Sequence, residues 1–298
     1  MRVALCQLNP TVGDLEGNAS RILAWYALAV DRGAELVAFP ELALTGYPPR
    51  DLLRQSDFLA ATDRASARLA AATGPAGLIF GAPLANPARE GKPLHNGALL
   101  CAEGRLIGDV RKKLLPSYDV FDEGRYFEPD QAPARPIAFG GILWGLHICE
   151  DAWNEEGFWP RRLYPRDPVE ELAKAGAEAM LNISSSPYHA KKMELRRSMF
   201  ASHSARHGLP FLYTNQVGGN DELIFDGGSF FVDAQGEIRA SLPLFESALE
   251  IVDTQLPSAP ISVREPLAAA QLEAGLVLGI RDYFRKQSLP PGAVIGLS

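Results

Sequence analysis

Cysteine is scarce in this chain: three of 298 residues, Cys6, Cys101 and Cys149, far apart and with no Cys-x-x-Cys pair. An odd, dispersed set argues against a disulfide framework or a structural zinc centre and suits a reducing compartment. Positive charge is short too. Lys and Arg total 29 against 36 Asp and Glu, a formal net charge of −7. That balance speaks against nucleic acid as a partner, because phosphate binding needs a basic surface. No apolar run approaches the ~20 residues that span a bilayer. Met1-Arg2-Val3-Ala4-Leu5 enters a strand pattern directly, without the apolar core and cleavage site of a signal peptide. A soluble cytoplasmic protein with no membrane partner and no metal is expected. Internal repeats and low-complexity segments are missing as well. Ser184-Ser185-Ser186 has no Gly-x-Ser-x-Gly elbow around it, which counts against a serine hydrolase. Gly218-Gly219 and Gly227-Gly228 open no helix, so neither reads as a phosphate loop; tight turns are expected at both.

What remains is 47% hydrophobic and patterned. Short apolar runs at 3–8, 36–39, 78–81, 142–148, 179–183, 210–213, 227–232 and 249–252 read as strands. Ile22, Leu23, Tyr26, Ala27 and Val30 recur at helical spacing, with Gly33 where a C-terminal cap belongs. Helical patterns follow through Phe58, Ala61, Ala65 and Leu69, over 169–175, and from Met193 to His207. Residues 97–101 and 106–110 flank Ala102-Glu103-Gly104-Arg105 as a hairpin. Buried strands alternating with helices, plus hairpins, predict a layered α/β protein with mixed sheets. The stretch 116–136 reads as a long loop, a length that in compact proteins goes with function or mobility.

Three reactive side chains stand at the ends of predicted strands: Glu41, Lys112 and Cys149. Each has a plain structural explanation as a solvated carboxylate, a surface base beside Lys113, or a core thiol. Together they make a set for acyl transfer. A carboxylate takes the thiol proton, an ammonium steadies thiolate and oxyanion, and the thiolate attacks a carbonyl. His147 lies two residues from Cys149 on the same strand, but a histidine inside an apolar strand reads first as a core residue. His189 reads as a loop residue near the Ser186-Pro187 turn. Lys191, Lys192, Arg196 and Arg197 read as a solvated basic helix face.

Phe39-Pro40-Glu41-Leu42-Ala43-Leu44-Thr45-Gly46-Tyr47, Lys112-Lys113-Leu114-Leu115-Pro116 and His147-Ile148-Cys149-Glu150-Asp151 resemble the three motif regions of the nitrilase (carbon–nitrogen hydrolase) superfamily. Within it, several further stretches resemble the glutaminase domain of the glutamine-dependent NAD synthetases. They are Tyr47-Pro48-Pro49-Arg50-Asp51-Leu52-Leu53, Pro116-Ser117-Tyr118-Asp119-Val120-Phe121-Asp122-Glu123, Asn182-Ile183-Ser184-Ser185-Ser186-Pro187 and Asn215-Gln216-Val217-Gly218-Gly219. The resemblance implies a nitrilase-like αββα sandwich that hydrolyses glutamine to glutamate and ammonia through a thioester, with no cofactor. It implies Cys149 as nucleophile, Glu41 as general base and Lys112 as oxyanion partner, the spacing to Leu115-Pro116 favouring Lys112 over Lys113. Tyr118, Ser186 and Lys192 match glutamine-binding positions, and Glu123 matches a second active-site carboxylate.

Leu272, Leu276, Ile280, Tyr283 and Phe284 form a helical stripe, and a new strand-like run starts at Ala293. The resemblance implies a hydrolase domain over 1–263. Residues 264–298 would be a linker helix and the first strand of a truncated synthetase domain, which would use ATP and Mg²⁺ and accept the ammonia. A terminal edge strand is the alternative. Homo-oligomerisation is expected. The rival readings are a stand-alone amidase or carbamoylase of the same superfamily, and a non-catalytic assembly module.

Overall fold

The computed structural model describes residues 1–296 apart from 257, 265 and 291. Its first strand, β1 (Arg2–Gln7), shows how the chain builds layers. Val3 and Leu5 point to one face and Ala4 and Cys6 to the other, and both faces are buried. Such a strand needs cover on two sides, hence an apolar run rather than an alternating one. Each fully buried Leu or Val side chain contributes about 1.5–3 kcal/mol.

One face is covered by helices. α1 (Leu15–Asp31) starts where the Asp14 side chain accepts the Gly17 N–H and buries Ala19, Ile22, Tyr26 and Ala29 at steps of three and four. The stripe is rotated from the expected one: Ala27 and Val30 face outward. Gly33, at φ +85°, ends the helix as expected. After β2 (Leu36–Ala38), α2 (Ser56–Ala71) lies beside α1 on the same face. β3 (Gly77–Ala85), β4 (Leu94–Ala102) and β5 (Arg105–Arg111) continue the sheet, β4 and β5 joined by a tight turn at Glu103-Gly104 with φ +51° and +73°.

A second sheet follows. β6 (Ile137–Phe139) pairs antiparallel with β7 (Ile142–Ile148). α3 (Pro168–Lys174) is capped by Asp167 and leads into β8 (Ala179–Ser184). α4 (Lys192–His207), closed by Gly208 at φ +66°, leads into β9 (Phe211–Asn215). β7, β8 and β9 are parallel, as crossover helices require. β10 (Val217–Asn220) and β11 (Leu223–Asp226) form a separate antiparallel pair. β12 (Phe230–Val232) and β13 (Ile238–Ser241) complete the second sheet, in the order β13-β12-β9-β8-β7-β6. β14 (Ala248–Asp253) returns to pair with β1, giving the first sheet the order β14-β1-β2-β3-β4-β5.

The two sheets face each other. Val3, Leu5, Ala98 and Leu100 of the first pack with Trp144, Leu146, Ile148, Leu181 and Leu212 of the second. The outer face of the second sheet takes Val169 and Leu172 of α3 and Met199 and Phe200 of α4. The architecture is therefore helix–sheet–sheet–helix, the nitrilase-like αββα sandwich.

Several local expectations change. Gly227-Gly228 does form a turn, at φ +68° and +63°. Gly218-Gly219 lies instead within β10, where a Cβ on Gly218 would fall 2.1 Å from Asn9 Oδ1. The basic face of α4, expected to be solvated, buries Arg196 completely, because Asp226 supplies its counter-charge at 2.8 Å. α5 (Ala268–Lys286) forms, but its apolar stripe Leu272, Leu276, Ile280 and Tyr283 is exposed. It docks through the opposite face. Asp282 accepts from Asn9 Nδ2 at 2.7 Å and from the Gly219 N–H at 2.9 Å. Lys286 Nζ donates to Pro10 O, Gly219 O and Asn220 Oδ1 at 2.8–2.9 Å. The terminal strand is not formed at 293–296, where Val294 and Ile295 are exposed; Leu297 and Ser298 lie outside the described residues.

Candidate active site

Glu41 follows β2 by three residues and sits in a turn that runs against β3. Gly81 makes that approach possible: a Cβ there would lie 2.1 Å from the Leu42 nitrogen and 2.8 Å from the Glu41 Cα. Lys112 leaves the end of β5, its N–H held by Asn96 O at 2.8 Å. The loop 116–136 is anchored rather than loose. The Glu128 N–H donates to Leu94 O at 2.7 Å and the Asp130 N–H to Lys112 O at 3.0 Å, which drives Glu123 inward.

These three side chains meet. Lys112 Nζ donates to Glu41 Oε1 at 2.7 Å and to Glu123 Oε1 and Oε2 at 2.7 and 2.9 Å. Asn96 Nδ2 bridges the two carboxylates at 2.7 and 3.2 Å. The Tyr47 hydroxyl donates to Glu123 Oε1 at 2.9 Å, and the Ser185 N–H donates to Glu41 Oε2 at 2.9 Å. Lys112 and Glu41 are both fully buried. Burial alone would discharge a lysine, but Glu123 and Glu41 override it and raise the Lys112 pKa well above the ordinary value. Burial likewise raises Glu123, against the pull of Lys112. Lys113 is not part of the cluster: its ammonium pairs with Asp130.

Cys149 comes from the other sheet, one residue beyond β7, at φ +44°. A left-handed conformation is costly for any residue but glycine, and strained nucleophile turns of this kind present a side chain at a sheet edge. The thiol is buried and its pKa is raised, first by desolvation and then by Glu41, with Lys112 pulling the other way. At rest it is a thiol. A reaction through this thiol at neutral pH would need a base at hand, and Glu41 is the carboxylate whose charge bears most on it. His147 is not that base. It points to the outer face beside Phe211, its Nδ1 bonded to Gly145 O at 2.9 Å and its pKa lowered by burial to about 4.

Glu150, next in the chain, is buried beneath two hydroxyls, Tyr118 at 2.9–3.0 Å and Tyr164 at 2.9 Å. Lys192 stands over the Phe121 and Trp153 rings at 5.8 and 5.5 Å, with no carboxylate in ion-pair range among the described residues. Burial, then Arg196, lowers its pKa to about 8, so it stays largely cationic at pH 7. Ser186 is buried, its N–H on Asn215 Oδ1 at 2.9 Å and its Oγ accepting from Arg196 at 3.2 Å. His189 is exposed. A cleft of about 370 Å³ opens beside the cluster, with Tyr47 and Glu123 at its base and Arg50, Asp51 and Arg125 at its rim.

Glu41, Lys112 and Glu123 are thus in direct contact, Cys149 shares their electrostatic field, and Tyr118 and Lys192 flank Glu150. Asn96, Tyr47, Ser185, Asp151 and Tyr164 join the site without a mark of their own in the sequence. Asn96 is a polar residue inside a β4 that is buried along its length, which is the signal that could have found it. No three His, Cys, Asp or Glu residues among those described are grouped to hold a metal. No helix among them is long and apolar enough to cross a membrane.

A buried Glu-Lys pair whose charges act on a cysteine at the edge of an αββα sandwich is an arrangement suited to hydrolysing a carbon–nitrogen bond. The carbon-nitrogen hydrolase family matches residues 2–259, and the chain belongs to that family. It is 39% identical over 305 residues to a glutamine-dependent NAD(+) synthetase of Synechocystis sp., covering 99% of this chain and 54% of that protein. With the Rhodobacter capsulatus synthetase it shares 38% identity over 306 residues, covering 100% and 52%. The solved structure of glutamine-dependent NAD+ synthetase from Acinetobacter baumannii in complex with ADP superposes with a TM-score of 0.85 at 31% identity, over 95% of this chain and 52% of that one. An amidase of the nitrilase superfamily from Nesterenkonia AN1 follows at 25% identity and a TM-score of 0.72, over 87% and 91%. The chain spans about half the length of the curated relatives it matches.

Proposed function

We propose that this chain hydrolyses the side-chain amide of glutamine to glutamate and ammonia. The observation that carries this reading is the buried cluster in which Lys112 bridges Glu41 and Glu123 beside the Cys149 turn. Glu41 takes the Cys149 proton as sulfur attacks the amide carbon. Lys112 and the Glu150 backbone N–H receive the oxyanion charge. The tetrahedral adduct collapses, the C–N bond breaks, and the proton on Glu41 leaves with ammonia. Glu41 then takes a proton from water, which attacks the thioester; glutamate departs and the thiol is restored. Glu123 keeps Lys112 charged and aimed.

The amino-acid end of glutamine suits the groups next to the nucleophile. Glu150, held by Tyr118 and Tyr164, takes the α-ammonium, and Lys192 takes the α-carboxylate. Ser186, beneath them, braces the pocket floor. The names of the relatives support placing this activity inside a larger glutamine-dependent NAD synthetase. There residues 1–263 would form the hydrolase domain and 264–298 would lead toward a synthetase portion using ATP and Mg²⁺, the partner that consumes the ammonia. The same reading takes the protein to be a cytoplasmic homo-oligomer, which sedimentation and cell fractionation check. The amidase likeness supports a second reading, hydrolysis of simple aliphatic amides.

Turnover of glutamine against acetamide and propionamide separates the two, with mass spectrometry of Cys149 after an electrophilic glutamine analogue. Preference for glutamine and an adduct on Cys149 are expected. Preference for the simple amides sinks the glutamine reading, and the lack of any adduct sinks hydrolysis through Cys149.

A further inference from the structure

The reacting groups come from different sheets, Glu41 and Lys112 from the first and Cys149 from the second, and two hydrogen-bonded stitches cross between the sheets at this edge. One is Ser185 beyond β8, whose N–H donates to Glu41 Oε2 at 2.9 Å and whose hydroxyl donates to Glu41 O at 2.8 Å. The other is Asp151. Its Oδ1 accepts the Lys113 N–H at 2.9 Å and the Leu114 N–H at 2.8 Å, and its Oδ2 accepts the Ile148 N–H at 3.1 Å.

Lys113 and Leu114 continue directly from Lys112, and Ile148 directly precedes Cys149. We infer that Asp151 is a positioning residue, fixing the separation of the Lys112 ammonium and the Cys149 thiol by tying the two chain segments through one carboxylate. The inference rests on Cys149 as nucleophile. Its warrant is the pattern of donors. Three backbone N–H groups converge on one side chain that is 2% exposed, and only an ionised carboxylate accepts at both oxygens without offering a donor. An amide in its place sets an NH₂ against one arm, so Asp151→Asn keeps size and shape while opening the staple on one side. Neither arm touches Glu150 or Lys192, so the groups assigned to the amino-acid end of the substrate stay where they are.

The test is Asp151→Asn in the full chain, with circular dichroism and thermal unfolding confirming the fold. Glutamine kcat, glutamine KM and the rate of Cys149 labelling by an electrophilic glutamine analogue are measured beside the wild type. A displacement of about 1 Å costs on the order of 10²-fold, so kcat and labelling should fall by about that factor with KM within about threefold. A folded variant that keeps wild-type kcat and labelling overturns the inference. So does one whose losses match its unfolded fraction. If Asp151→Asn does not fold, hydrogen exchange of the wild type decides. Joint protection of the Lys113, Leu114 and Ile148 amides upholds the staple, and free exchange at any of them overturns it. A wild type that is not labelled at Cys149 overturns the nucleophile reading and this inference with it. That outcome is distinct from a labelled wild type matched by its variant.

Discussion

Replacing Lys112 with methionine tests the site more sharply than removing the cysteine does. The ammonium makes three hydrogen bonds of 2.7–2.9 Å to two carboxylates that are buried with it. Methionine fills nearly the same volume without the charge, so packing is roughly preserved and the electrostatic loss stands alone. Glu41 keeps its bonds to Asn96 and Ser185, and Glu123 keeps Tyr47, but no cation remains between them. Breaking a buried pair by removing one partner costs about 3–5 kcal/mol, because the remaining charge is left unpaired. For a chain of this length about 2 °C of Tm accompanies each kcal/mol, so Lys112→Met should unfold about 6–10 °C below the parent at pH 7. The deficit has a direction in pH. Burial already raises the Glu123 pKa, and without the opposing pull of Lys112 it rises further, so the folded variant binds a proton more readily than the unfolded chain and its relative stability recovers as pH falls. Urea unfolding at pH 5 and pH 7, each against the parent, measures both effects. A variant as stable as the parent at pH 7, or one whose deficit grows on acidification, refutes a Lys112 held by buried carboxylates on both sides.

Cys149→Ala should abolish hydrolysis while leaving stability within about 1–2 kcal/mol, since only one buried sulfur is lost; unfolding under conditions where the parent is stable would return the thiol to a purely structural part. Lys192, lowered to about 8 by burial and Arg196, loses its charge as pH rises through that value. Glutamine KM should therefore begin to climb near pH 8 with kcat little changed, and Lys192→Met should show a raised KM whose climb is displaced to the higher pH at which the α-ammonium of glutamine itself discharges; a flat KM to pH 9.5 in the wild type contradicts its part in binding. Gly81→Ala forces a methyl into the Leu42 nitrogen, 2.1 Å away, and should displace Glu41. Activity should fall by about 10²-fold together with a loss of about 1–3 kcal/mol, read by turnover and denaturant midpoint.

Much of this was readable beforehand because it lay in local pattern. Apolar runs and one hairpin pattern marked β1 to β5, β7 to β9, β12 and β14 but not β6, β10, β11 or β13, and Glu41, Lys112 and Cys149 stand out as reactive residues where such runs end. The remainder depends on what a residue meets across the fold. Gly218-Gly219 has turn composition but forms β10, since Asn9 and Gly279 pack where side chains would stand. β6 is three residues long and only partly buried, so no apolar run marks it. Arg196 reads as a surface cation until Asp226, 30 residues away, is seen to pair with it. α5 shows the same limit in reverse: its apolar stripe faces outward and its buried face is carried by Gly275, Leu278 and Asp282, because polar bonds to β10 decide which side docks.

The layer of side chains between the two sheets also serves as a spacer of set thickness. Leu5, Leu36 and Leu100 below, and Leu146, Ile148 and Leu181 above, determine how far apart the sheets stand, and with them Glu41 and Cys149. A methylene added to or removed from that layer alters the gap that the proton must cross while touching neither substrate nor catalytic group. On the proposed mechanism core volume is thus a tuning variable for the rate, and variants with altered kcat should turn up in the middle of the sandwich as readily as at its edge.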